Sequence, residues 1–162
     1  MECELNGRKI KYEDGKLWLW RETQGRQTLK VPYWREIKGG LSNTGYRQLK
    51  ITGKSFKYHR VVYFIHNQEW NIHNSSQDNS IDHIDQDKDN NSIENLRVTT
   101  HSQNMWNQDR KGYSFNKSKR KYQAKIRLNY KDIHIGTFEN PEDARQAYLE
   151  AKNIYHVMGD LK

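Results

Sequence analysis

Residues 81–108 constrain the fold more than any other part of the chain. Residues 81–84 and 96–98 are short and apolar enough for two strands, and the loop of residues 85–92 between them is dominated by Asp and Asn, which accept tight turn conformations. Thr99 or Thr100 can then cap a helix that runs to about Gln108, because a threonine hydroxyl accepts a bond from the free N–H groups of a first turn. The pattern predicts strand, loop, strand and helix.

The composition favours small modules over one large core. Only 33% of the 162 residues are hydrophobic, and the mean hydropathy is −1.19. No apolar run approaches the roughly 20 residues of a membrane span, and no signal-peptide pattern opens the chain. Cys3 is the single cysteine, which rules out an internal disulfide and fits a reducing compartment. We therefore expect a cytoplasmic protein without membrane contacts.

The net charge of +8 is distributed unevenly along the chain. Residues 1–67 carry 14 Lys and Arg against 6 Asp and Glu, and residues 111–162 carry 11 against 6. Residues 68–95 between them carry 1 against 7. Such a distribution fits two basic surfaces that hold a polyanion and an acidic centre that holds a cation beside it. A soluble protein with solvated charged faces is the simpler interpretation of charge alone.

Four polar residues of the central segment could assemble one hydrolytic centre. Hydrolysis of a phosphodiester needs an activated water, which a histidine can deprotonate, and a divalent cation that stabilises the phosphate and the leaving oxygen. Asp82 and His83 are adjacent in a strand and point to opposite faces, so one would address the metal and the other the water. Asn104, one turn into the helix, could add an oxygen ligand, and Asn95 is placed to bond across the loop and orient His83. Oxygen ligands in small number suit Mg²⁺ or Mn²⁺.

This segment closely resembles the HNH endonucleases, in the branch of free-standing or intron-encoded phage homing nucleases. The residues that carry the resemblance are Asp82-His83-Ile84-Asp85, Asn90-Asn91-Ser92-Ile93-Glu94-Asn95-Leu96-Arg97 and Asn104, with His59-Arg60-Val61-Val62 upstream. It implies a ββα-metal fold in which His83 is the general base, Asn95 orients it, and Asp82 and Asn104 bind one ion per active site. The family name expects a histidine at the third position, where this chain has Asn104; Asn107 and His101 are the fallback ligands.

Two other metal patterns are weaker. His59, His66 and His73 recur every seven residues, but no cysteine or fourth ligand accompanies them, and His59 is better explained as a structural or phosphate-contacting residue. Asp85, Asp87 and Asp89 lack the glycine and terminal glutamate of a calcium loop.

Residues 8–58 are predicted to form short strands joined by turns. The β-like stretches are residues 17–20, 28–31 and 46–51, and Asp14-Gly15, Gly39-Gly40 and Gly53 punctuate them. Residues 58–66 carry apolar side chains at helical spacing and predict a short helix. Residues 67–80 have the Asn-, Ser- and Gln-rich composition of an exposed loop.

A second module is predicted from about residue 112. Residues 122–128 alternate between apolar and polar, residues 129–132 make a turn, and residues 133–136 form the next strand. Asn140 and Pro141 then open a helix whose small or aromatic residues would cover the apolar face of the sheet: Ala144, Ala147, Tyr148 and Ala151. The opposite face would present Lys125 and Arg127, with His134 beside them on the next strand, to a DNA groove.

Residues 112–157 also resemble the Apetala-type (ethylene-response-factor) DNA-binding domain. The matching residues are Tyr122-Gln123-Ala124-Lys125-Ile126-Arg127, Gly136-Thr137-Phe138, Ala144 and Ala147-Tyr148. The arginine-rich opening of that domain is represented only by Lys117, Lys119, Arg120 and Lys121, so base preferences cannot be transferred. The predicted DNA contacts of the whole chain are His59, Arg60, Lys119, Arg120, Gln123, Lys125, Arg127 and His134.

The sequence thus predicts an α+β protein in three parts: a β-rich N-terminal region (1–57), a ββα-metal nuclease core (58–110), and a small three-stranded sheet with one helix (111–162). We expect a monomeric, metal-dependent endonuclease of the site-directed homing type that acts on double-stranded DNA, in the host cytoplasm if phage-encoded. A DNA-binding regulator with a degenerate nuclease fold, an RNA-binding module and a non-specific nuclease are the alternatives.

Overall fold

The computed structural model describes residues 1–22, 31–76, 78–128 and 131–156. The chain divides into two compact units, Met1–Val98 and Thr99–Lys162. Both mix strands with helix, so the chain as described is a mixed α/β protein built from several small sheets. No helix in the described ranges is long and apolar enough to cross a membrane.

The first unit opens with a four-stranded antiparallel sheet. Its strands are β1 (Glu2–Leu5), β2 (Arg8–Glu13), β3 (Lys16–Arg21) and β4 (Tyr33–Glu36), in that spatial order. Asp14 and Gly15 both have positive φ between β2 and β3, as a tight two-residue hairpin turn requires. The predicted strand at residues 17–20 lies within β3 and is confirmed. Of the predicted strand at residues 28–31, the first three residues lie outside the described ranges, and Val31 is not in a strand.

A second small sheet leads directly into the first helix. Strands β5 (Gly40–Leu41), β6 (Arg47–Ile51) and β7 (Lys54–Lys57) pair in sequence order. Helix α1 (Tyr58–His66) begins at the residue after β7. The prediction of a helix over residues 58–66 is therefore confirmed at both ends.

One hydrophobic core holds the first unit together. It includes residues from both sheets, from α1 and from the strands that follow, among them Ile10, Leu17, Ile51, Val62 and Leu96. The backbone N–H of Leu17 donates to the buried Tyr58 hydroxyl over 3.0 Å. The predicted N-terminal region thus shares its core with the segment that carries the candidate site.

The central segment follows the predicted strand, loop and strand order. Strand β8 (Ser80–His83) pairs with β9 (Leu96–Thr99), and a short 3₁₀ turn (Ile93–Asn95) precedes β9. Helix α2 (His101–Asn107) follows. Thr100 caps it: its hydroxyl accepts from Gln103 N over 3.2 Å, and the Gln103 side chain accepts from Thr100 N over 2.9 Å.

The second unit contains the sheet and helix predicted for the C-terminal module. Strands β10 (Tyr113–Asn116), β11 (Lys121–Leu128) and β12 (Lys131–Phe138) form an antiparallel sheet, and α3 (Pro141–Tyr155) packs on it. Among the described residues, its buried hydrophobic side chains are few: Ala124, Ile126, Ala144, Tyr148 and Ala151. The predicted stripe of α3 is confirmed for all its members except Ala147, which is half-buried. Residues 129 and 130 of the predicted turn lie outside the described ranges.

Helix α2 is grouped with the second unit, although the sequence predicts it as part of the nuclease core. The chain that follows it is anchored to α3. Arg145 binds the Asp109 carboxylate at 2.6 Å, and Lys152 Nζ donates to the Gln108 carbonyl over 3.3 Å. The Trp106 ring stacks on His156 with centroids 4.7 Å apart. Packing of α2 on β8 and β9, which a ββα-metal fold requires, stays a prediction.

Candidate active site

The loop after β8 is organised by its own Asp and Asn side chains. The Asn95 amide bridges it: Oδ1 accepts from Asp85 N over 3.0 Å, and Nδ2 donates to Asp85 Oδ1 over 2.8 Å. Asn90 donates to the other Asp85 oxygen over 2.6 Å. These bonds, that of Asn90 first, lower the pKa of the Asp85 carboxyl. The loop geometry at the end of β8 is therefore fixed by paired polar groups rather than by apolar packing.

His83 is the last residue of β8, and only 3% of it is exposed to solvent. Its Nε2 is 3.1 Å from Asn91 Oδ1, and Asn91 Nδ2 donates to the Asp89 carbonyl over 3.0 Å. Because an amide oxygen only accepts, this orientation of Asn91 assigns the proton to His83 Nε2. In the neutral ring the lone pair is then on Nδ1, which is the nitrogen that can take a proton from water.

Two aromatic rings enclose His83. The His59 ring meets it edge-on, with centroids 4.9 Å apart, and the Tyr46 ring stacks on it at 6.0 Å. His59 is itself buried, and burial, with His83 and then Lys57 and Arg60, lowers its pKa to about 2. His59 is therefore neutral at physiological pH and packs beside His83 as an uncharged ring.

Asp82 precedes His83 and is also buried. Its Oδ2 accepts two hydrogen bonds from Arg97 on β9, from Nε over 3.1 Å and from Nη2 over 2.8 Å. A cation would reach Asp82 through Oδ1, or by replacing the guanidinium. The described residues contain no cluster of three or more His, Cys, Asp and Glu side chains that could hold a metal. A free carboxylate oxygen such as Asp82 Oδ1 is the type of ligand that Mg²⁺ prefers, and binding of a metal ion here stays a prediction.

The predicted partner residues lie in different places. Asn95 reaches across the loop to Asp85, whereas the amide that bonds to His83 Nε2 is that of Asn91. Asn104 is in the first turn of α2, with its N–H bonded to the Thr100 carbonyl over 3.0 Å. It belongs to the second unit, as do the fallback ligands His101 and Asn107, so its ligation together with Asp82 stays a prediction.

His59 and Arg60 are used inside the first unit. The Arg60 guanidinium donates to the carbonyls of Asn79, Ile72 and Asn74 at 2.8 to 2.9 Å and lies 4.5 Å from the Trp70 ring centroid. These bonds tie α1 to the residues that follow it. They favour structural roles for Arg60 and the buried His59, and DNA contacts by these two residues stay predictions.

The other predicted DNA contacts lie on the C-terminal sheet. Lys125 pairs in register with His134 on β12, which confirms that they are neighbours. Lys125, Arg127 and His134 are exposed, and Arg127 forms an ion pair with Asp132 at 2.9 Å. Gln123 is half-buried on the same strand, and Lys119 and Arg120 are exposed in the turn before it.

Sequence reasoning missed five side chains around the site: Tyr46, Lys57, Lys88, Asn91 and Arg97. Asn91 and Arg97 contact His83 and Asp82, and both stood in the recognised motif without an assigned role. Lys57 and Lys88 each place an ammonium 4.6 Å from the centroid of the Tyr46 ring. Residues 46, 57 and 88 are far apart in the chain, so no local pattern signals this cluster.

Comparison with known proteins finds a family whose model matches the segment that carries this strand–loop–strand site. Residues 57–106 match the family model described as HNH endonuclease. No match was found among curated proteins or among solved structures. The matched segment includes Asp82, His83, Asn95 and Asn104, and it covers less than a third of the 162 residues. The match supports an HNH nuclease, a hydrolase with DNA as the implied substrate.

Proposed function

We propose that this protein is a metal-dependent endonuclease of the homing type that cuts double-stranded DNA at a chosen site, with His83 as the general base. The observation that carries the proposal is the buried His83, held by Asn91 through Nε2, beside the buried Asp82 within the segment that matches the HNH model.

His83 prepares the nucleophile. Its Nδ1 takes the proton of a water as the water attacks phosphorus, and the ring becomes an imidazolium. Asn91 Oδ1 accepts the Nε2–H throughout, so it holds the ring in one orientation and stabilises the charged form. Asn95 contributes by fixing the backbone that follows His83, since it accepts from Asp85 N. In this proposal Asn95 acts on the loop and Asn91 acts on the ring.

Asp82 and Asn104 are the proposed ligands of Mg²⁺ or Mn²⁺. When bound, such an ion stabilises the charge on the phosphate and on the leaving 3′ oxygen. Arg97 positions Asp82, because two N–H groups on one carboxylate oxygen fix the carboxylate plane.

The basic sheet of the second unit holds the duplex in this proposal. Its exposed side chains are Lys119, Arg120, Lys125, Arg127 and His134, and the half-buried Gln123 lies on the same strand as Lys125. Cations contact phosphates, and a two- or three-stranded sheet can enter a major groove, where Gln and Arg bond to base edges. This combination supports site selection over random cutting.

Replacement of His83 tests the proposal. We expect His83→Ala to slow nicking of supercoiled DNA in Mg²⁺ by at least about 100-fold, the typical contribution of a general base, with unchanged DNA affinity in EDTA. His73→Ala is the matched control, because His73 is an exposed histidine of the same unit, and it should cut normally. Undiminished cutting by His83→Ala, or cutting by the wild-type protein in EDTA, contradicts the proposal.

A DNA-binding protein with a degenerate nuclease site is the second candidate. The Arg97 guanidinium on Asp82 favours it, because an ion pair already satisfies one oxygen of the proposed metal ligand. The same assay separates the candidates: a degenerate protein binds duplex DNA and cuts none of it in Mg²⁺ or Mn²⁺.

A further inference from the structure

Two ammonium groups meet on one aromatic ring in the first unit. Lys57 Nζ and Lys88 Nζ each lie 4.6 Å from the Tyr46 ring centroid. Lys57 ends β7, and Lys88 comes from the loop after β8. Lys88 is held in place by donating to the Thr44 carbonyl over 2.9 Å. Both lysines are exposed, and Tyr46 is half-buried beneath them. We call these three residues the Tyr46 cluster.

The Tyr46 cluster carries positive charge that no carboxylate of the described residues neutralises by an ion pair. Neither ammonium forms a salt bridge within the described part of the chain, although Lys88 is the one cation of the acidic stretch 68–95. The acid next to it, Asp89, is paired with Arg47 at 2.9 Å. Two like charges held within about twice 4.6 Å repel each other, and an anion placed between them would remove that cost.

The pKa of Lys57 agrees with this environment. Partial burial lowers the pKa of its ammonium, and the charges of Arg60 and Lys88 lower it further. Lys57 is therefore an ammonium group with further cations close by, an environment that attracts an anion.

The position of the Tyr46 cluster connects it to His83. The ring that carries both ammonium groups is the same ring that stacks on His83 at 6.0 Å. It also meets His59 at 5.1 Å. Because lysines and histidines already contact the Tyr46 ring, it has little surface for stacking a base, and the exposed groups that remain are the two ammonium groups. This favours a backbone phosphate over a nucleobase.

We propose that Lys57, Lys88 and Tyr46 form a phosphodiester-binding site that holds a backbone phosphate of the DNA strand next to the bond that is cut. The location beside the cut rests on the proposed function. Binding of the phosphate does not, since it depends only on the charges of the Tyr46 cluster.

The salt dependence of DNA binding in EDTA tests the phosphate contact without cleavage. The slope of log K against log[KCl] changes by about 0.9 for each phosphate contact on duplex DNA. We expect Lys57→Gln and Lys88→Gln each to reduce the slope by about that amount, and the double variant by about twice as much. Lys54→Gln is the matched control, because Lys54 is an exposed lysine of the same strand outside the cluster. A wild-type slope in the double variant, or the same loss in Lys54→Gln, overturns the proposal.

Duplexes with a single uncharged methylphosphonate at successive positions test where the phosphate lies. For the wild-type protein, a substitution next to the mapped nick should weaken binding several-fold. The double variant should lose this sensitivity, because the contact is already gone. Equal sensitivity in both proteins overturns the placement.

These experiments distinguish failure of this inference from failure of the proposed function. If His83→Ala abolishes nicking but the double variant keeps the wild-type slope, the nuclease proposal stands and this inference fails. If no protein nicks DNA but the double variant loses slope, the phosphate site stands and the nuclease proposal fails. Thermal unfolding should be unchanged in the lysine variants, since both side chains are exposed.

Discussion

The two units differ in what they bury. The first buries polar and charged side chains: His59, Asp82, His83, Asn91 and Asn95. Among the described residues of the second unit, Thr99 is the single buried polar side chain, and the rest of its core is Ala, Ile and Tyr. A buried polar group left without a partner costs about 1 to 3 kcal/mol, so the first unit must offset its polar groups with hydrogen bonds and a larger apolar core.

The hydrogen bonds of the polar side chains in the first unit show how the cost of their burial is offset. Asp82 is paired with Arg97, His83 with Asn91, and Asn95 with Asp85. The surrounding core contains fourteen buried hydrophobic residues. The described part of the second unit buries few side chains, and its cations lie at the surface. The difference agrees with the proposed division of roles, in which the general base His83 lies in the first unit and the exposed cations of the second unit bind DNA.

Gly112→Ala should have the largest effect, and it should be confined to the second unit. Gly112 has φ +74°, and an added Cβ would overlap the Tyr148 ring at the centre of that unit's small core. We expect a loss of about 3 kcal/mol, as for severe overpacking. Hydrogen exchange by mass spectrometry should show faster exchange in residues 113–155 and none of this change in residues 1–98.

Gly40→Ala is the control for Gly112→Ala. A Cβ at Gly40 meets no atom within 4 Å, and its φ is not positive. Exchange should be as in the wild-type protein. If hydrogen exchange in residues 113–155 is unchanged in Gly112→Ala, the second unit accommodates the added methyl group. That result would contradict a small and tightly packed core.

Acid should destabilise the first unit through His59. Its pKa is about 2 in the folded state against 6.5 as the reference value, so below pH 6.5 the unfolded state binds the proton and the folded state does not. Stability is therefore lost as pH falls from about 6.5 towards 2. Between pH 7 and pH 5 the loss from this group is about 2 kcal/mol, measurable by urea unfolding of the first unit.

His59→Leu should flatten that pH dependence, even if it changes stability at pH 7. The exposed His73→Leu should not flatten it. Burial also lowers the pKa of His156 in the second unit, but His156 is only half-buried, so the second unit should respond less. An equal acid response in His59→Leu and the wild-type protein would assign the effect to other groups.

The smallest effects are expected on the exposed sheet. Lys125→Gln should weaken duplex binding several-fold and reduce the salt slope by about 0.9. Arg127→Gln should do less, because Asp132 already neutralises part of the Arg127 charge. Asp132→Asn should tighten binding for the same reason. Fluorescence anisotropy at several KCl concentrations measures the DNA affinity of all three variants. A larger effect for Arg127→Gln than for Lys125→Gln would contradict the view that the ion pair with Asp132 weakens the DNA contact of Arg127.

Local patterns predicted most of the secondary structure. Apolar spacing predicts both ends of α1. Strict alternation in β11 predicts that Ala124 and Ile126 lie on one face and Lys125 and Arg127 on the other. These features depend on residues three or four positions apart, where helical and strand periodicities apply. The sequence offers Thr99 and Thr100 as caps of α2, and in the structure Thr100 caps the helix.

The site was predicted less completely, because its contacts depend on loop conformation and on long-range packing. Asn91 and Asn95 are equivalent by residue type, and only the turn made by Asp85 and Asn90 decides which amide faces His83. The Tyr46 cluster joins three distant segments. Spacing along the chain carries no information on such contacts.

The hydrogen bond from the Leu17 N–H to the Tyr58 hydroxyl has a consequence for how the segment that matches the HNH model can be inherited or engineered. The stretch that matches the HNH model begins at residue 57, yet its helix is seated on β-strands that precede it. A fragment trimmed to residues 57–106 would lack the β-strands that supply part of this hydrophobic core, so Val61, Val62 and Ile65 would be exposed to water. Residues 1–98 keep this core whole, and a fragment that also carries the proposed ligand Asn104 must extend beyond them.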